Sequence, residues 1–183
     1  MHKEAKYYGG SEDKSGKLSE LFLLGEIKET LEYIQILKKA ANESRYVSYA
    51  DSLKLVRKHS PYDPINPQKP FLNDLRIEFI DALGMTEAKD MDRVKIFTAV
   101  GSPLDIWHGM DAIIVVENEN RRTFEVIGFD AVTEGGEKRK NIHDLKADVL
   151  IKTDELPDRE TDGSKYYAKL KEIAEEGIAA LRK

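Results

Sequence analysis

Gly109-Met-Asp111-Ala-Ile-Ile-Val-Val-Glu117-Asn-Glu-Asn120-Arg-Arg-Thr123-Phe-Glu-Val-Ile-Gly-Phe-Asp130-Ala-Val-Thr133 is the stretch that decides the fold class. Two runs rich in β-branched and aromatic residues flank a short polar turn at Asn118–Asn120, the pattern of an antiparallel hairpin. In such a hairpin the start of one strand lies beside the end of the next. Asp111 and Asp130 are about equally distant from the turn centre, so they become neighbours across the pair, on the order of 5 Å apart if directly opposite. Two carboxylates that close repel unless a divalent cation or a shared proton relieves them. Hard cations such as Mg²⁺ select carboxylate oxygens, so the pair is the first candidate metal site.

Immediately upstream, Gly101-Ser-Pro-Leu-Asp105-Ile-Trp-His108 forms a tight turn into the first strand. Asp105 and His108, three apart, have two readings. They extend a mixed metal site around Asp111, or Asp105 accepts backbone N–H groups in a loop while His108 packs beside Trp107. Glu117 and Glu125 read as solvated strand-face or edge charges. Glu78, on the helix before the strands, adds a third carboxylate only if it turns inward.

Working outward, the N-terminal half is helical. Residues 1 to 16 are a polar arm. From Lys17 to about Ala40, Leu21, Leu24, Ile27, Leu31, Ile34 and Leu37 recur at intervals of three and four, one helical face interrupted by Gly25 at a cost of roughly 1 kcal/mol. A second helix is expected from about Glu43 to His59, with the break near Asn42. Pro61, Pro64, Pro67 and Pro70 make an extended linker. A helix from Asn73 to Leu83 ends at Gly84, with Leu75, Phe79, Ile80 and Leu83 as its buried stripe. Val94 to Val100 reads as the strand before the hairpin and Ala147 to Lys152 as a fourth strand. Ser164 is expected to cap a final helix reaching about Leu181. The order predicts an α/β domain, bordering on α+β, with a central mixed four-stranded sheet and flanking helices. The N-terminal helical region is expected to span residues 1–70 and the core residues 71–183, as parts of one compact domain.

Gly109-Met110-Asp111 at a strand entry, a hairpin, then Asp130-Ala131-Val132, with a helix before and a strand and helix after, resembles the PD-(D/E)XK nuclease-like superfamily over residues 71–183. That resemblance implies a restriction-endonuclease-like core. It also implies hydrolysis of phosphodiester bonds in nucleic acid, DNA ahead of RNA, with Mg²⁺ or Mn²⁺ held by Asp111 and Asp130 and a lysine assisting the water. Val132 stands where that lysine belongs. Lys138 or Lys140, in the segment after the strand, could reach back, with Lys140 slightly preferred. If neither does, the fold serves as an inactive module for binding or assembly.

Composition narrows the classes further. The chain has no cysteine, which removes disulfides, thiolate metal sites and thiol nucleophiles. No run approaches the ~20 apolar residues of a membrane span, and the N-terminus lacks a secretory apolar stretch, so a cytoplasmic protein is expected. A net charge of −5 weighs mildly against a dedicated nucleic-acid binder. The positive charge is clustered, however, at Lys54, Arg57 and Lys58 and at Lys138, Arg139 and Lys140. These clusters are candidate phosphate contacts or ordinary solvated surface. The N-terminal helices also offer a surface for a protein partner.

Overall fold

A computed structural model of the chain describes residues 14–40, 46–120, 122–133 and 147–181. Among these, strands β1 (Val94–Thr98), β2 (Ala112–Glu117), β3 (Phe124–Val132) and β4 (Val149–Lys152) form one sheet in the order β1-β2-β3-β4. β1, β2 and β3 run as an antiparallel meander, and β4 pairs parallel with β3. This is the expected mixed four-stranded sheet. The connection from β3 to β4 falls in residues 134–146, outside the described residues.

The sheet is covered on both faces. α4 (Pro70–Ala82) and α7 (Gly163–Leu181) pack on one of them, and Phe79, Leu75, Leu170 and Ile173 meet Ile114, Ile127, Phe129 and Ile151 there. Full burial of a side chain such as Phe79 contributes about 2–3 kcal/mol. The opposite face carries Phe97, Ile113 and Val115. It is covered by α2 (Leu31–Ala40), α3 (Tyr49–His59) and α6 (Pro103–His108) through Tyr33, Leu55, Val56 and Leu104. Helices from the first 60 residues thus complete the core. Among the described residues no helix is long and apolar enough to cross a membrane.

The continuous face expected from Lys17 to Ala40 is two helices, α1 (Lys14–Leu24) and α2. Gly25 ends the first at φ 72°, and its absent Cβ leaves room for the Tyr62 ring. The carbonyl released there accepts Thr98 Oγ1 at 3.1 Å, and the Ile27 N–H donates to Val100 O at 3.0 Å. The break therefore fixes the chain to the end of β1. α3 starts later than expected, at Tyr49, because Ser48 caps it by accepting the Asp51 N–H at 3.2 Å. The expected break near Asn42 lies outside the described residues.

α4 starts at Pro70 rather than Asn73, since proline lacks only an N–H that a first helical turn leaves unused. The preceding proline-rich segment is also more than a spacer. Pro64 O accepts the Ile96 N–H at 3.0 Å, so it covers part of the outer edge of β1. A short helix, α5 (Ala88–Met91), precedes β1. α7 begins at Gly163, one residue before the expected cap, with Asp162 O accepting the Lys165 and Tyr166 N–H groups.

Candidate functional site

Asp111 sits at the last step of the hairpin ladder. α6 is capped at its start by Ser102 and at its end by Gly109, whose left-handed φ of 63° turns the chain toward β2. The expected turn at 101–108 is therefore mostly this helix. The backbone of Asp111 is held on both sides, its N–H donating to Phe129 O and its carbonyl accepting from Ala99 N–H, each at 2.7 Å. Ala112 pairs with Phe129, so one further step of the register sets Asp111 opposite Asp130.

Both acids lie on one face of the sheet. Ile127, Phe129 and Ala131 join the core under α4 and α7, as do Ala112 and Ile114. Strand alternation then places Asp130 on the other face, with Ile113, Val115 and, by the same count, Asp111. Asp111 is 3% exposed and Asp130 is fully buried. Asp111 Oδ2 accepts the Ala131 N–H at 2.8 Å.

Burial is the main reason that the Asp111 carboxyl is held well above the usual carboxylate range. The charges of Asp105, Asp130 and Glu20 add to it, and the Ala131 hydrogen bond opposes it. Three acids from three parts of the chain therefore act on one position. Asp105 also has the turn-ordering role, its Oδ2 accepting the Gly101 N–H at 2.8 Å. Glu20, on α1, was not foreseen from sequence. Only the Gly25 break, which pins the end of α1 beside the end of β1, brings it into range.

The other candidates fall elsewhere. His108 is buried, with Nε2 3.1 Å from Val47 O, a contact that requires Nε2 to carry the proton. Its ring is packed against Tyr46 and Tyr49, so it faces α3. Glu78 lines an open cleft between α4 and α7 with Asp81, Lys171 and Glu175, on the far side of the sheet from the acids. Lys54 pairs with Asp51 at 2.9 Å and Lys58 with Glu32 at 2.7 Å. Arg57 lies 3.8 Å from Glu117 and 4.2 Å from the centre of the Phe124 ring. Glu117 is buried and paired with Lys95 at 2.7 Å, in contrast to the solvated charge expected, whereas Glu125 is exposed. Lys138, Arg139 and Lys140 lie outside the described residues.

One amine not considered from sequence stands near the motif. Lys152 pairs in register with Val132, so it shares the face of Asp130 two residues along. Its Nζ is 3.2 Å from Glu155 Oε1, and its side chain is 43% exposed. Thr153 Oγ1 donates to Val132 O at 3.3 Å and ties this end of β4 to β3.

The donor set suits a hard cation, because Asp111 and Asp130 offer only oxygen and face each other in a buried site. Among the described residues, no three acid or histidine side chains converge closely enough to hold a metal ion as they stand. No family model, curated protein or solved structure matches the chain.

Proposed function

We propose that the protein hydrolyses phosphodiester bonds in nucleic acid with a divalent cation, as a member of the PD-(D/E)XK nuclease-like group. One observation carries the reading: a buried carboxyl, Asp111, is kept across the hairpin from a second buried carboxyl, with Asp105 and Glu20 adding further negative charge. Burial and these three charges make ionisation of Asp111 costly, and strongly perturbed carboxyls of this kind concentrate at functional sites. The order of an antiparallel meander followed by a parallel fourth strand supports the restriction-endonuclease-like assignment.

In this reading Asp111 and Asp130 hold Mg²⁺ or Mn²⁺, which supplies Lewis acidity and an activated water. The Ala131 N–H fixes the orientation of the Asp111 carboxylate. Lys152, two residues along from Asp130 on the same face of the sheet, takes the place of the missing motif lysine and offsets charge developing on the phosphate. Lys138 and Lys140 remain rival sources of that amine.

The test is hydrolysis of DNA and RNA with Mg²⁺ or Mn²⁺. Asp111→Asn and Asp130→Asn are expected to lose at least a hundredfold in rate, and Lys152→Met about as much, with partial rescue by Lys152→Arg. Activity unchanged in both aspartate variants ends the proposal.

A second reading, an inactive fold used for binding or assembly, draws on Val132 at the motif position and on the complete burial of Asp130. Calorimetric titration with Mn²⁺ separates the two. Saturable binding lost in Asp111→Asn favours the enzyme, and no saturable binding favours the module.

A further inference from the structure

α4 and α7 meet closely at Gly177, whose missing Cβ leaves room for the Phe79 ring. Beside that contact the outer sides of the two helices part and leave an open groove of about 690 Å³. Its floor is apolar: Ile178 is buried, and Ala82 and Ala179 are exposed. Its walls are charged. Glu78 and Asp81 stand on α4, Glu175 and Lys171 on α7, and Lys171 lies 4.0 Å from Glu175. Three carboxylates against one ammonium leave the groove negative.

Backbone chemistry narrows the occupant. Both walls are helices whose interior N–H and C=O groups bond within the helix, so the groove has no edge on which an extended peptide could pair. A helix satisfies its own backbone and needs no such edge. Alanine at the rim of each wall lets a third helix come to roughly 8–10 Å between axes, the ordinary packing distance. Ile77, one turn before Asp81 on the same side of α4, is 44% exposed and continues the apolar surface along the rim. Charge selects among helices. Burial, then Asp81 and Asp74, push the Glu78 carboxyl above its usual range, and Lys171 offsets them only in part. A basic helix supplies the rest of the compensation. A free polyamine meets the carboxylates but is too slender to cover the floor and Ile77 together.

From the shape and charge of this groove we infer that α4 and α7 dock a basic amphipathic helix of a partner protein. Its apolar face lies on Ala82, Ile178 and Ala179, and its lysines or arginines lie against Glu78, Asp81 and Glu175. Such a helix carries apolar residues at i, i+3, i+4 and i+7 with basic residues on both flanks. The groove is on the opposite side of the sheet from Asp111 and Asp130, so a docked helix leaves that face clear. The site goes beyond the proposed hydrolysis and does not require it.

The probe is a fluorescein-labelled peptide of about 20 residues, long enough to form a helix, with alanine and leucine on one helical face and lysine on the other. Anisotropy with the full chain is expected to show saturable binding, and circular dichroism of the mixture a gain in helix. Glu78→Gln combined with Asp81→Asn is expected to weaken binding about threefold to tenfold, whereas Lys171→Gln tightens it about twofold. Ala179→Gln adds bulk to the floor with a residue that suits an exposed helix, and is expected to weaken binding at least about threefold. Circular dichroism establishes that each variant folds. Absence of saturable binding overturns the inference. Binding that the charge and bulk variants leave unchanged also overturns it, because the peptide then sits elsewhere on the acidic surface. Equal binding of a peptide with the same composition in shuffled order overturns it too, since the amphipathic face is then irrelevant. Saturation by spermine but not by the peptide assigns the groove to a small cation, and a dimer of the chain alone that Ala179→Gln dissociates assigns it to a second copy. Either result overturns the inference.

Discussion

The two ends of the β2–β3 hairpin each bury a carboxylate on the same face of the sheet, and they do so in opposite ways. At the turn end Glu117 lies between Lys95 and Arg57, 2.7 and 3.8 Å away, and Arg93 donates to its backbone carbonyl at 2.8 Å. At the open end Asp111 faces Asp130, feels Asp105 and Glu20, and has one backbone N–H in its favour. One end has its charge compensated by the fold. The other sets the buried Asp111 carboxyl among the charges of Asp105, Asp130 and Glu20. A sheet whose chemistry was structural throughout would have no reason to treat its two ends so differently. The contrast is what separates a candidate site from an ordinary buried acid.

The largest expected effect tests the compensated end. Glu117→Ala strands Lys95 in a half-buried position and removes a partner from Arg57. A loss of about 3 kcal/mol is expected in chemical denaturation, the lower end of the range for breaking a buried pair from one side. A loss below about 1 kcal/mol would make the two ends energetically alike and remove the basis of the contrast.

The opposite sign is expected at the other end. Asp111→Asn keeps an oxygen for the Ala131 N–H and discards the charge that Asp105, Asp130 and Glu20 oppose. Stability should rise on the order of 1–3 kcal/mol, the scale of the desolvation cost of a buried polar group. The variant that stabilises the fold should be the same one that abolishes hydrolysis, a trade expected of a site kept for function.

The dependence of that gain on pH follows from the raised pKa of Asp111. When the unfolded chain ionises at the ordinary carboxyl pKa and the folded chain retains its proton to higher pH, the folded state binds more protons across that window. Stability is then present below the unfolded pKa and lost as pH rises through the folded value. The difference between Asp111→Asn and the parent should be small near pH 4, grow with pH and level off above the folded pKa. A difference that is constant with pH would contradict the raised carboxyl. Mn²⁺ at ten times its dissociation constant should restore about 1.4 kcal/mol to the parent at neutral pH and nothing to the variant, as read by thermal melts.

How far the sequence reveals all this depends on distance along the chain. The hairpin, its register and the approach of Asp111 to Asp130 follow from strand periodicity and a short turn, which are local. The mixed sheet follows from element order. Glu20 does not, because its position depends on Gly25 turning the chain and on the tertiary bonds from Thr98 and Ile27 that pin the break. Lys152 was hidden for a related reason: a parallel pairing sets its register with Val132, and no turn encodes that register. The acid at Glu117 was misjudged because strand position alone does not reveal that α3 delivers Arg57 over it. Lys54, Arg57 and Lys58 looked like one basic cluster in sequence, yet each is directed to a different acid.

Arg57 gives the smallest and most discriminating test of the comparison. Its guanidinium lies 4.2 Å from the centre of the Phe124 ring while its Nη2 stands 3.8 Å from Glu117, so stacking and charge are both engaged. Arg57→Lys retains the charge but lacks the planar group that lies over the ring. The expected cost is about 0.5–1 kcal/mol, the range of an exposed cation–π contact, and it should disappear when Phe124 is already leucine. A cost that persists in the Phe124→Leu background belongs to the Glu117 interaction instead. In that case the compensated end depends on an ion pair longer than a hydrogen bond, and Lys95 carries less of the compensation than its 2.7 Å contact implies.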